Sequence, residues 1–327
     1  TLRVPSEGIE IKLPQRLCKT IEEDIHRFKG TITFTAFATE RGLRIVAHRE
    51  TRARYAGGSL RIIAIDLNSR HGFAVMAFDW DGSGWTLRFR RRFKPHNAAH
   101  HEDLAALIQA VGATGYKGYL KWWKERRQRG EEYLMETALK LFELSEAYGP
   151  IKPSRADEIT GRVKRGVKVR NDFFARQLVS ELRKQVRWAV DRGYFVAVVA
   201  DVPIYESLEG TELQRTLLKI AKRIRNLARY EGAEYVEVRA SGKQCPSCDG
   251  WGVETGKRKY KCNKCNIAWN RDWGSIVREA LAYIRLKRKA LENNIKKNGR
   301  NEQTEKLTRE LERMEKGLRE WVKTVSY

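Results

Sequence analysis

The sequence predicts an α/β fold: a sheet flanked by helices, a small β-module ahead of it, and a four-cysteine ribbon inserted late in the chain. Three observations predict it. Two apolar runs far apart, residues 61–67 and 194–201, each carry an aspartate at or beside their C-terminal end. Helical periodicity fills the stretches between and after them. The late cysteines follow the spacing C-x2-C-x13-C-x2-C. Strand-like runs alternating with helical ones are the pattern of a sheet covered by helices.

Residues 1–58 read as strands of a small β-barrel module. Ile9, Ile11 and Leu13 alternate with polar neighbours, as do Ile32, Phe34 and Ala36, then Leu43, Ile45 and Ala47. A larger domain is expected over residues 59–240. Arg-Ile-Ile-Ala-Ile-Asp-Leu at 61–67 is a buried strand, and residues 72–79 are its hairpin partner. Residues 85–93 make a third strand after the Gly82-Ser83-Gly84 turn. From about 101 to 192 the pattern turns helical, with Leu104, Leu107, Ile108 and Val111 on one face. Gly149-Pro150 breaks these helices, and a further helix is expected near 171–191. Then come the apolar strand 194–201, a helix over 211–230 and a strand at 235–238. The ribbon occupies 241–269. A final helix opens near Asp272, is interrupted at Asn298-Gly299, and gives way to a polar helix over 301–322 with pairs such as Glu305–Arg309, so that 270–327 forms the last segment.

Composition narrows the function. The 327 residues, 41% of them hydrophobic, suffice for a real core and more than one domain. Against 65 Lys and Arg stand 41 Asp and Glu, for a net charge of +24. Such an excess repels itself unless a polyanion neutralises it, and nucleic acid is the favoured partner. Four of the five cysteines cluster and Cys18 stands alone, read as a buried thiol. That is no disulfide framework, so a reducing, cytoplasmic compartment is expected. With no apolar run of about 18 residues, no membrane partner is expected. No signal peptide is visible. The chain opens at Thr1 without a Met, inside what reads as a folded region, so a missing upstream piece is expected.

Cys245, Cys248, Cys262 and Cys265 are expected to bind one structural Zn2+. Each C-x2-C pair sets two thiolates on a tight knuckle, and two knuckles close a tetrahedral shell with Zn–S bonds of about 2.3 Å. A complete shell leaves no position for catalysis. Around it, Lys257, Arg258, Lys259, Lys261 and Lys264 can touch phosphates or simply face water. Asp66, Asp201 and Asp272 are the candidate catalytic acids. Carboxylates on neighbouring strand ends can converge on hard divalent cations, which take oxygen ligands. Taken singly, Asp272 reads first as a helix N-cap.

The order strand–acid, hairpin, helices, strand–acid, helix, strand, ribbon, acid–helix resembles the TnpB family of transposon-encoded, RNA-guided nucleases, relatives of the type V CRISPR effectors. Ile63-Ala-Ile-Asp66-Leu looks like the first motif of the family's split RuvC domain. Cys245-Pro-Ser-Cys248 and Cys262-Asn-Lys-Cys265, followed by Asn270-Arg-Asp272, look like its ribbon and third motif. The resemblance covers about residues 1–285. It implies an RNase H-like (RuvC) mixed sheet, a wedge-like module at 1–58, and guide RNA and target DNA as partners. It also implies Mg2+- or Mn2+-dependent DNA endonuclease activity at Asp66, Asp201 and Asp272, in a prokaryotic cell or a virus-infected prokaryote. The second motif departs from the family's strand-Glu-Asp-Leu: here it reads Val198-Val-Ala-Asp201-Val-Pro203. Either Asp201 replaces the glutamate, or Ala200 marks a lost acid, with Glu206 as a fallback ligand. The family's N-terminal recognition helices are absent from this sequence. A nuclease-dead, RNA-guided DNA-binding repressor and an unguided, structure-selective RuvC-like nuclease are the alternatives.

The segment from Tyr116 to Arg129 interleaves cations with aromatics, a pattern that binds phosphates and stacks on bases or ribose. Lys121, Trp122, Lys124, Arg126, Arg127 and Arg129 are therefore candidate nucleic-acid contacts. By the resemblance, such helices line a channel for an RNA–DNA heteroduplex.

Overall fold

The computed structural model describes residues 2–4, 9–12, 14–28, 32–39, 42–49, 55–68, 72–93, 173, 175–201, 212–256 and 258–324. The candidate nucleic-acid residues Lys121, Trp122, Lys124, Arg126, Arg127 and Arg129, and the fallback ligand Glu206, lie outside them. Strands β1 (Leu2–Val4) and β2 (Ile9–Ile11) form one antiparallel pair, and β3 (Ile32–Thr39) and β4 (Gly42–Arg49) another. No closed barrel joins them among the described residues.

Between the two pairs lies helix α1 (Gln15–Phe28), where the sequence reading expected strands alone. The physical signal is the spacing Leu17, Ile21, Ile25, Phe28, a helical stripe that a search for alternation passes over. Pro14 precedes the first turn, where a missing N–H costs nothing, and its carbonyl accepts from Cys18 at 3.1 Å. Phe28 packs edge-on against Tyr230 at 5.4 Å between ring centroids. Cys18 is half-buried rather than buried, because its position falls on the flank of this stripe.

The main sheet contains β5 (Leu60–Asn68), β6 (Gly72–Trp80), β7 (Trp85–Phe93), β8 (Phe195–Asp201) and β9 (Glu234–Val238), in the spatial order β7-β6-β5-β8-β9. The hairpins make β5, β6 and β7 antiparallel, while β8 and β9 run parallel to β5. It is a mixed sheet with helices on both faces. Central strands meet apolar layers on each side, which is why β5 and β8 are apolar almost throughout. Ile63, Ile65, Val75 and Val198 pack under a helix over 175–190 (α2) and under α3 (Glu212–Glu231). Ile62, Ala64, Met76, Phe78 and Val199 face Ile276, Tyr283 and Met314 of the two C-terminal helices. At the edge, β7 exposes Arg88, Arg90 and Arg91, charges that discourage pairing with another strand.

The C-terminal helices are α4 (Arg271–Asn298) and α5 (Glu302–Thr324), joined through Gly299 at φ 82°. Glu310 of α5 accepts from the Tyr55 hydroxyl at 2.7 Å and from Gly58 N–H at 3.0 Å, fastening α5 to the turn that launches β5. Trp85 Nε1 donates to the Met314 carbonyl at 2.8 Å on the same side. On the other face, register partners Arg61 and Asp79 form a buried two-pronged ion pair at 2.6 and 2.7 Å, capped by the Trp188 ring 4.2 Å from the guanidinium. Breaking such a pair from one side costs about 3–5 kcal/mol, since it strands a buried charge. No helix among the described residues is long and apolar enough to cross a membrane.

Candidate functional site

The parallel pairing of β5 with β8 makes Asp66 and Asp201 register partners on strands about 4.8 Å apart. Side chains alternate along each strand. Ile62 and Ala64 on β5, and Ala197 and Val199 on β8, all belong to the α4 face, so Asp66 and Asp201 follow them there. Ala200 belongs with Val196 and Val198 in the opposite core. Of the two positions left open by the sequence, Asp201 shares a face with Asp66 and Ala200 does not.

Asp272 enters from α4 above that face. It is not the N-cap that its position alone suggested. Asn270 caps the helix, its side chain accepting from the Asp272 N–H at 3.0 Å. The Asp272 carboxylate, only 2% exposed, is instead held by Arg92 of β7 at 2.5 Å and by Arg258 of the ribbon. Beside it, the Trp273 ring carries Arg90 and Arg92, with guanidinium carbons 4.1 and 5.2 Å from its centroid.

Electrostatics set the two strand-end acids apart from ordinary aspartates. Burial, then the charge of Asp201, pushes Asp66 up to about 7, opposed by Arg258, Arg271 and Arg92. Burial pushes Asp201 up to about 6, opposed by the Ala240 N–H at 3.5 Å and by Arg239. The centre is thus anionic and its rim cationic. Such a centre attracts cations and such a rim attracts phosphate oxygens, while among the described residues the group that gathers three or more ligand atoms for a metal is the four cysteines.

A fourth acid escaped the sequence reading. Glu279 lies two turns after Asp272 on α4 and is fully buried. Burial, then Asp66 and Asp201, raise its pKa well above the usual glutamate range. The backbone of Ile65 and the hydroxyl of Ser275 ease that shift, yet neither oxygen completes a hydrogen bond. The available signal was a helical wheel: Glu279 interrupts the apolar stripe of Ile276, Ala280 and Tyr283.

The four ribbon cysteines converge. Their sulfur atoms all lie within 4.8 Å of one another, with Cys245–Cys265 at 3.4 Å and Cys248–Cys262 at 3.5 Å. A tetrahedral ion with bonds of about 2.3 Å needs sulfur separations near 3.8 Å, so the set fits a metal such as zinc. Each knuckle ends on a left-handed residue, Asp249 at φ 60° and Asn266 at φ 62°, the residue types that tolerate this conformation. Between the knuckles run β10 (Gly252–Gly256), β11 (Lys259–Cys262) and β12 (Ala268–Asn270), a small antiparallel sheet.

This unit is fastened to the acids. Trp269, 2% exposed, donates from Nε1 to the Gly242 carbonyl at 2.8 Å. A Cβ on Gly252 or Gly274 would stand 2.4 or 2.3 Å from its ring, so both must be glycine for the indole to seat. Asp249 in the first knuckle pairs with Arg278 and Arg285 of α4 and Arg319 of α5, at 2.5, 2.6 and 2.5 Å. The ribbon therefore positions both the start of α4 and Arg258.

No protein family's sequence profile matches the chain, and no curated protein matches it. Among solved structures, it is similar to CasPhi-2 (Cas12j) bound to crRNA, with 12% identity and a TM-score of 0.40, over 75% of this chain and 54% of that one. It is similar also to CasPhi-2 bound to crRNA and phosphorothioate-DNA, with 12% identity and a TM-score of 0.42, over 78% and 52% of the two chains. The chain thus spans about half the length of the structures it matches. Neither is named as a TnpB protein.

The raised pKa of Asp66 fixes the sign of a pH effect. Between about pH 4 and about 7 the native state keeps a proton that the unfolded chain has released, so the acid's contribution to stability falls as pH rises. In magnesium-free buffer, Asp66→Asn should therefore gain stability relative to the parent between about pH 4.5 and 7.5, by on the order of 2 kcal/mol. Urea denaturation at the two pH values measures it. A gap that stays constant, or widens toward acid, contradicts the burial and repulsion assigned to the pair.

Proposed function

We propose that the chain is an RNA-guided, metal-dependent DNA endonuclease with an RNase H-like, RuvC-type core. The observation that carries this reading is the in-register placement of Asp66 beside Asp201 on parallel strands, both half-buried and both with raised proton affinity. Two such carboxylates side by side call for a cation. The donor set is all oxygen, which suits Mg2+ or Mn2+. When bound, such ions supply an activated water and stabilise the leaving oxygen of a phosphodiester. Asp66 and Asp201 would hold the ions from the sheet, and Asp272 from α4. Arg92, Arg239, Arg258 and Arg271 would grip phosphate oxygens through charge-assisted hydrogen bonds.

The mixed sheet with helices on both faces supports the RNase H-like fold implied by the resemblance to TnpB. The +24 charge and the cation–aromatic segment containing Lys121, Trp122, Lys124, Arg126, Arg127 and Arg129 support guide RNA and target DNA as partners. The ribbon would hold one structural Zn2+ and perform no chemistry, its four thiolates completing the shell. The protein would act in the cytoplasm of a prokaryotic cell or a virus-infected prokaryote. One observation favours a second reading, a nuclease-dead relative that only binds guided DNA: Asp272 already meets two guanidinium groups, which neutralise the third acid.

Two outcomes follow from the metals. Metal analysis should find one zinc per chain, lost in the Cys245→Ser, Cys262→Ser double variant. Stripping it should unfold the ribbon, since such ions contribute on the order of 10 kcal/mol to small modules. Zinc-free protein with an intact ribbon contradicts the assignment.

In the second, Asp66→Ala, Asp201→Ala and Asp272→Ala should each lower Mg2+-dependent cleavage of guided DNA by about a hundredfold or more, the scale of losing a preorganised electrostatic group. Binding, which rests on distant cations, should persist. If Asp201→Ala cuts like the parent while Glu206→Ala does not, the second acid is Glu206. A parent that binds guided DNA but never cuts it with Mg2+ or Mn2+ establishes the nuclease-dead reading.

A further inference from the structure

We propose that Glu279 is a fourth carboxylate of the cation site, closing it from the protein interior and lending an oxygen to a divalent ion seated between Asp66 and Asp201. The inference deepens the metal-dependent reading above and rests on it. Its first support is a contrast. The other buried acids of the described structure all have partners: Asp79 meets Arg61, Glu231 meets Arg187, Asp272 meets Arg92, Glu310 meets Tyr55 and Gly58, and Glu315 meets Arg285. Glu279 is as buried as any of them, and both its side-chain oxygens lack a hydrogen-bond partner. A carboxyl left so is destabilising, and leucine or methionine would fill the space at no such cost.

Placement gives the second support. Glu279 is buried between Ile276 and Ala280 of α4, which pack with Ile62 and Ala64 of β5 on the face that carries Asp66 and Asp201. The third support is ligand number. A hard divalent ion takes about six oxygen ligands, more than Asp66, Asp201 and Asp272 supply. Because Asp272 also shares its oxygens with Arg92 and Arg258, Glu279 is the further acid that can add one. A bound ion gives the stranded carboxylate its partner and offsets the repulsion among the three acids at once.

The test uses Mn2+ and Eu3+ as probes on the full chain with its ribbon zinc retained. Parent, Asp66→Asn and Glu279→Gln are titrated with Mn2+, the free ion being followed by electron paramagnetic resonance. Glu279→Gln should bind Mn2+ about 10–100-fold more weakly than the parent. Its melting temperature without Mn2+ should be unchanged or higher, and its Mn2+-induced rise in melting temperature should shrink. Eu3+ luminescence lifetimes in light and heavy water count the waters on the bound ion, a readout that a merely structural role would not move. The count should rise by about one in Glu279→Gln as water replaces the lost oxygen. Should that variant fold poorly, Glu279→Asp, which keeps a shortened carboxylate, should likewise bind more weakly than the parent. Parent-like Mn2+ affinity and water count in Glu279→Gln, with binding lost in Asp66→Asn, overturn this inference and leave the proposed function standing. A parent that binds neither probe overturns both.

Discussion

Asp66 and Asp201 are forced together by backbone pairing, and much of the described structure can be traced to that juxtaposition. The register of β5 on β8 is held by apolar layers on both faces, so neither strand can slip without turning its core residues outward. The repulsion between the two acids is consequently built in by the fold and relieved only by protons, by guanidinium groups or by a cation. The arginines that approach come from separate elements: Arg92 from the edge of the sheet, Arg258 from the ribbon turn, Arg271 from the first turn of α4, and Arg239 from the end of β9. Each lies close enough to the acids to oppose the rise in their proton affinity.

The ribbon matters to this centre mechanically. Four thiols fix the knuckles, the knuckles fix Asp249, and Asp249 ties three arginines of the C-terminal helices. Trp269 fills the seam between two glycines and sets the direction in which α4 leaves the ribbon. Arg258 sits at a left-handed turn on the same unit, with its carbonyl accepting from Arg271 at 2.8 Å. The cysteine cluster and the charge in the acid centre are thereby linked through a few rigid contacts, so a unit that carries none of the acids still bears on their site.

Much of this was legible in the sequence. An apolar run ending on an acid is a local pattern, so Asp66 and Asp201 could be chosen from it, and cysteine spacing picked out the four cysteines that the structure brings together. The strands and helices of the main sheet fell within a residue or a few of their expected bounds, since each carries a strong period. What escaped depended on three-dimensional neighbours. Whether Ala200 or Asp201 faces Asp66 is a question of face, which one strand's sequence cannot answer without its partner's register. Asn270 displaced Asp272 as the cap because both residue types suit that position and only the backbone decides between them. Helix α1 was missed because its stripe is short and sits between true strands. Glu279 looked like one more charge on a charged helix until α4 was laid against the sheet.

The central claim, that Asp66 and Asp201 form a cation-binding pair, is tested most directly by anomalous X-ray diffraction from crystals soaked in millimolar Mn2+. The account predicts a manganese peak on the α4 face of the sheet, within about 2.0–2.4 Å of a carboxylate oxygen from each aspartate. A map with no peak between the two carboxylates, in crystals whose Mn2+ reaches other acidic sites, would contradict it.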